Sequence, residues 1–344
     1  MLLQRCSPLK RALAYFKFWR NMRSIFYLDT SALNFLADNV KDFDFLAGMK
    51  EHLKFELFLS PVSLWEVFLN SNEERRDYLI YWAQFNCARK LIKSPSEIII
   101  EYIKQDCPIK DRTIFRDAPY SNMQMAETWE NIHGKIDRTI PLDVNELKER
   151  SNGIRQLSKS LKGIINDMCD DSHENYENDP FHGAMVMALE NVGRSLELDK
   201  KTERTYKITL IFIFFIICIG FELQNSVIQD FWNEKGIEDP FERLDFMIAN
   251  YSELMVRGPV LEMAMMAETQ LKMDNSKSRG LLHDCMHTIY CYYADNLITS
   301  DTHFECLRDD VNHPVFKGII MTSQIQEIWE LAKKKLTSQS SLTA

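Results

Sequence analysis

Two short apolar runs, each closed by an acid, limit what this chain can fold into. Residues 24–28 (SIFYL) end at Asp29, and residues 296–299 (NLIT) end at Ser300-Asp301. Both are rich in strand formers, and the residues after each can open a helix, so both read as strand, turn, helix. Residues 57–59 give a second strand, stopped by Ser60-Pro61, and Ser63 with Glu66 reads as an S-x-x-E capping box for the helix after it. A helix over 73–90 follows, then a short segment at 91–93, a break at Ser94-Pro95, and a helix capped by Ser96 and running to Lys104. At the far end, residues 280–293 read as a helix, 317–321 as a last strand and 324–335 as a last helix.

Strand and helix alternate only at the two ends, which implies one α/β unit interrupted by a long insertion. From 106 to 277 the strand signals disappear and apolar residues recur at helical spacing. The expected organisation is a basic segment at 1–23, a first half at 24–105, a helical insertion at 106–277, a second half at 278–335, and a polar tail at 336–344. A length of 344 residues accommodates either two domains or one domain so interrupted. Inside the insertion, residues 167–180 (DMCDDSHENYENDP) are acidic and turn-rich, and read as a mobile loop. Residues 208–221 (ITLIFIFFIICIGF) are the most apolar run, but a spanning helix needs about 20 residues. Charges crowd both of its flanks, so a buried core helix is expected and no stable membrane span.

Residues 1–28 hold six Lys and Arg, no acid, and interleaved aromatics, which breaks the apolar core that a secretory signal needs. Two readings stay open: a basic amphipathic helix for RNA or an anionic lipid surface, or a helix packed on the core. Met22 competes with Met1 as the start. The net charge of −9 argues against coating nucleic acid over the whole surface, and an excess of carboxylates is compatible with hard cations. The eight cysteines include no C-x-x-C pair, which suits reduced thiols and a cytoplasmic setting.

Four acids occupy the positions that matter in such a fold. Asp29 and Asp301 directly follow strands, Glu66 lies a turn into the helix after the second strand, and Asp284 lies early in the helix before the third. In open parallel sheets the functional crevice lies at the carboxyl ends of the strands. If both ends of the chain share a sheet, the four side chains meet on one rim, as an oxygen-rich set for Mg²⁺ or Mn²⁺. Each also has a plainer explanation. Asp29 suits a helix cap, Glu66 completes the Ser63 box, Asp301 precedes a Thr302–Glu305 box, and Asp284 suits the helix dipole.

The segments IFYLDTSALNFLAD, SPVSLWEVFLN and HDCMHTIYCYYADNLITSDTHFECL resemble, in order, the motifs of the PIN-domain nucleases. The resemblance covers about 24–100 and 278–322. It implies a three-layer α/β/α sandwich with a short parallel sheet, and Mg²⁺ or Mn²⁺ held by Asp29, Glu66, Asp284 and Asp301. It also implies hydrolysis of RNA by metal-activated water, as an endoribonuclease, with DNA also open as a substrate. Thr299 or Ser300 would assist, with Asp295 and His287 behind them. Service as a toxin or stress effector, with a neutralising protein partner, is a further implication. Two alternatives compete: an inactive PIN-like binding module, and a zinc hydrolase using His283 and His287, whose H-D-x-x-H spacing puts two imidazoles on one helix face.

Overall fold

The computed structural model describes residues 24–87, 92–104, 144–169, 200–219, 226–255, 257–273, 280–311 and 313–327. The basic segment, residues 170–180 of the acidic stretch and the polar tail lie outside the described residues; 167–169 close a helix instead of opening a loop. The first half comprises β1 (Ser24–Leu28), α1 (Thr30–Asn39), α2 (Phe43–Leu53), β2 (Phe55–Leu59), α3 (Pro61–Phe68), α4 (Glu73–Asn86) and α5 (Pro95–Lys104). Then come α6 (Val144–Cys169), α7 (Lys200–Phe212), α8 (Ser226–Lys235), α9 (Pro240–Tyr251) and α10 (Pro259–Met273). The chain closes with α11 (Leu281–Cys291), β3 (Asn296–Thr299), α12 (Thr302–Asp310) and β4 (Ile319–Met321).

The two ends of the chain do share one sheet. Its order is β2-β1-β3-β4, and every pairing is parallel. Alternate residues of each strand serve opposite faces, as a pleated strand requires. Phe26, Leu28, Leu57, Leu59 and Ile298 pack with α1 and α4 on one face, while Tyr27, Phe58 and Leu297 pack into the larger core on the other. Strands buried on both faces carry apolar residues at nearly every position, which is why these runs lack polar alternation. The fold is therefore α/β, dominated by helices around a small parallel sheet.

Two helix starts differ from the sequence reading, for one shared reason. Pro61 and Pro95 do not break the chain. They occupy the first turn, where proline loses no hydrogen bond and its fixed φ favours the helix. The serine before each proline then becomes the cap. Ser60 Oγ accepts from Ser63 N at 3.1 Å, and Ser94 forms a reciprocal box with Glu97, whose Oε2 accepts from Ser94 N at 2.6 Å. Ser63 and Ser96 are thus not caps, and Glu66 makes no capping contact with Ser63. At α12 the cap is likewise Asp301, accepting from His303 N at 2.8 Å, rather than Thr302.

Two other boundaries shift. α4 stops at Asn86 because Cys87 turns extended to bridge Leu57 beside β2. The last strand starts at Ile319, since Pro314–Gly318 winds as a 3₁₀ turn.

Every described element between 106 and 277 is helical, yet these helices form no separate body. Ile165, Leu210, Phe231, Leu244 and Met263 belong to the same core cluster as Tyr27, Phe58 and Leu297. The apolar run at 208–221 ends α7 and continues as a π-helix over Ile213–Cys218, with Ile219 N bonded to Phe214 O five residues back. Its end carbonyls are satisfied from outside: Trp232 Nε1 donates to Ile217 O at 2.6 Å and Arg243 to Cys218 O at 2.8 Å. Among the described residues no helix is long and apolar enough to cross a membrane. Cys87, Cys218, Cys285, Cys291 and Cys306 are free thiols.

Candidate functional site

From β1 the chain passes to β2 on one side and from β3 to β4 on the other, so the connections diverge between the carboxyl ends of β1 and β3, the switch point of a parallel sheet. The register brings the strand ends level, with Leu28 paired to Leu59 on one side and to Ile298 on the other. Asp29 therefore stands between Ser60 and Thr299.

Asp29 caps α1 through Ala32 N at 2.7 Å, and its carboxylate also accepts from Ser31 Oγ and Thr299 Oγ1. Those hydroxyls in turn hold the far turn. Ser31 Oγ accepts from Ser300 N at 2.7 Å and Thr299 Oγ1 from Asp301 N at 2.9 Å. Asp29 is only 4% exposed. Burial pushes its carboxyl up to about 6, with the His287 charge and the donated hydrogen bonds working against that rise.

Glu66 faces the helix that carries Asp284. Its Oε1 lies 3.1 Å from His283 Nδ1 and its Oε2 2.9 Å from His287 Nε2, and Thr30 Oγ1 donates to it. Burial opposes ionisation of Glu66, but the two imidazoles outweigh it and hold the carboxyl well below the ordinary range. His287 is anchored from behind by the Tyr27 hydroxyl, which also meets Ser60 Oγ at 2.8 Å and Ser63 Oγ at 3.1 Å. Burial alone would depress the His287 imidazole. The carboxylates of Glu66, Asp29 and Asp284 raise it instead.

Asp284 and Asp301 meet at a third residue, His303. Its Nδ1 lies 3.0 Å from Asp301 Oδ1 and 3.7 Å from Asp284 Oδ2. The donor atoms of these three residues all lie within 4.8 Å of one another, and they form the one group of potential metal ligands among the described residues. Each side chain is partly open to solvent, Asp284 at 15%, Asp301 at 29% and His303 at 20%. Flanked by Asp284 and Asp301, the His303 imidazole is lifted to about 10. Asp284 is raised by burial against the pull of His303; Asp301, despite burial, is lowered by that same imidazole. Gln270, on α10, donates its amide to Asp284 Oδ2.

The four acids named from sequence thus fall into two pairs. Asp284 and Asp301 belong to the ligand group. Asp29 and Glu66 lie outside it, engaged by hydroxyls, a backbone amide and imidazoles. His283 and His287 both turn to Glu66 and stand outside the ligand group found among the described residues. Asp295 acts at the other end of the sheet, accepting from Ile25 N at 2.7 Å, and Ser300 Oγ meets Thr322 Oγ1 at 2.8 Å. His303 and Gln270 were not evident from sequence. The one available signal was Asp301-x-His303, since two residues at a helix start lie close enough to share a partner. No family model, curated protein or solved structure matches this chain.

Proposed function

We propose that this chain is a divalent-metal-dependent nuclease on a PIN-like frame, with RNA as substrate and DNA as the second choice. What carries the reading is one observation: Asp284 and Asp301, from separate elements, share a ligand group beside the acid-ended switch point of a parallel sheet. The donor set fits a divalent cation, being two carboxylates and an imidazole around one point. A bound ion supplies a Lewis acid and an activated water for in-line attack on a phosphodiester.

The chain's own residues position that chemistry. Asp29, through Ser31 and Thr299, fixes the Ser300-Asp301 turn. Glu66 grips His283 and His287, and so fixes the helix that presents Asp284. The paired imidazoles keep Glu66 ionised at neutral pH, and with its oxygens so engaged it holds those imidazoles rather than accepting a proton. No side chain is required as a covalent nucleophile.

The test is cleavage of end-labelled RNA and DNA by the full chain with Mn²⁺, with Mg²⁺ and with EDTA. Metal-dependent cleavage should fall at least 100-fold in Asp284→Asn and in Asp301→Asn. Cleavage that survives EDTA, or that is undiminished in both variants, overturns the proposal. Metal binding with no cleavage of either nucleic acid favours a binding module.

A further inference from the structure

We infer that His303 is a direct metal ligand, and that the site favours an ion that accepts imidazole more readily than Mg²⁺ does, such as Zn²⁺ or Mn²⁺. The inference rests on the metal-dependent reading above but goes beyond it, because the four-acid set contains no nitrogen donor. Three observations carry it.

The first is spacing. With metal–ligand bonds of about 2.0–2.2 Å, neighbouring donors stand about 3.0 Å apart at octahedral angles and about 3.5 Å apart at tetrahedral ones. The separation from His303 Nδ1 to Asp301 Oδ1, 3.0 Å, meets the octahedral value, and that to Asp284 Oδ2, 3.7 Å, lies slightly beyond the tetrahedral one. The second is that His303 Nδ1 is buried and makes no aligned hydrogen bond, although carboxylate oxygens stand on two sides of it. A nitrogen at ion-pair distance from two carboxylates, with its N–H aligned on neither, also leaves a place for a shared cation.

The third is an amide beside the acids. Gln270 is 1% exposed, its Nε2 is engaged on Asp284 Oδ2, and its Oε1 has no partner among the described residues. A buried carbonyl oxygen left unsatisfied costs about 1–3 kcal/mol. Here it belongs to the amide that already touches the ligand group, where a cation or a cation's water would satisfy it. The backbone supports the same placement. His303 N is held by Asp301 Oδ1, so ligand and cap are fixed together at the first turn of α12.

The choice of ion follows from the donors. Mg²⁺ favours oxygen and water and dehydrates reluctantly, imidazole suits Zn²⁺, and Mn²⁺, though oxygen-preferring, is a transition ion and takes a nitrogen ligand more readily than Mg²⁺. One imidazole between two carboxylates therefore separates Mn²⁺ and Zn²⁺ from Mg²⁺ in a way that four carboxylates would not.

The experiment is Mn²⁺ binding to the full chain, read by the loss of the free-ion EPR signal, with pulsed EPR on the bound ion to detect a coordinated nitrogen. Wild type should bind one high-affinity Mn²⁺ with a ¹⁴N coupling, displaced by Zn²⁺ but only by at least 100-fold more Mg²⁺. His303→Gln should lose the coupling and weaken Mn²⁺ at least 10-fold, while His313→Gln, outside the group, should change neither. The nitrogen coupling in wild type needs no variant to fold, so the test survives a destabilised His303→Gln. No bound Mn²⁺, bound Mn²⁺ without nitrogen, or a coupling that persists in His303→Gln overturns the inference. If cleavage is metal-dependent while the ion carries no nitrogen, the inference fails and the nuclease reading stands. If nitrogen-bound Mn²⁺ is found without cleavage, the reverse holds.

Discussion

Replacing Asp29 by Asn should stabilise the metal-free protein, by an amount that depends on pH in a defined way. The native carboxyl is lifted from 3.8 to about 6, chiefly by burial. At about 1.4 kcal/mol per unit, that rise is worth about 3 kcal/mol. The native state holds this proton more tightly than the unfolded chain, so wild type loses that stability as pH climbs from 3.8 to about 6, and nothing more above it. Asn has no such group, and Asn caps helices about as well as Asp. Its carbonyl can still accept from Ala32 N, and its amide can donate to Thr299 Oγ1, whose hydroxyl turns to Ser31 Oγ at 3.3 Å. One hydrogen bond is lost, at about 1 kcal/mol. Asp29→Asn should therefore gain about 2 kcal/mol at pH 7.5 and lose about 1 kcal/mol at pH 4. The assay is urea unfolding of both proteins in EDTA at half-unit steps between these limits. A difference that does not vary with pH refutes the reasoning, whatever its sign.

Glu262 tests the same physics away from the site. It is 1% exposed, its Oε2 has no partner among the described residues, and burial pushes its carboxyl well up. Glu262→Gln should match wild type near pH 4.5 and outgain it by about 1.4 kcal/mol per unit above that, up to the native titration point, again by urea unfolding. His287→Ala removes the link between Tyr27 and Glu66 and opens a cavity, so it should cost about 3–5 kcal/mol, with His287→Gln milder, read by denaturant midpoint. Gly258 has φ +97°, and a Cβ there would lie 2.5 Å from the Tyr102 ring; Gly258→Ala should cost at least about 2 kcal/mol, seen as a lowered Tm.

The parts of the fold legible in the sequence were those where one local pattern has one physical solution. An apolar run of four or five residues closed by an acid had to be a buried strand, and β1 and β3 lie where the runs placed them. Ser60-Pro61 and Ser94-Pro95 were less legible, because proline signals both a stop and a first helical turn. Only the hydrogen bonds of the preceding serine separate those cases. His303 was hidden for another reason. Its partner Asp284 lies 19 positions earlier on another helix, a distance that no local spacing encodes. Gln270 sits within the stretch read as an insertion, and nothing in an amphipathic helix marks the one amide that turns toward a site.

Burial and prior commitment explain why four acids on one rim divide into two that hold the scaffold and two that stand in the group of potential ligands. Asp29 is 4% exposed and already accepts from a backbone amide and two hydroxyls, so any ion would first have to strip those donors away. Glu66 is 24% exposed in its side chain, but two imidazoles and a hydroxyl surround its oxygens. Asp284 and Asp301 keep 15% and 29% of their side chains open, and their cationic neighbour is an imidazole that can exchange its proton for a metal. A cation arriving from solvent therefore displaces least at Asp284, Asp301 and His303. Removing Asp29 or Glu66 should loosen the geometry of that group rather than delete a ligand, so weakened binding in those variants should retain its nitrogen coupling.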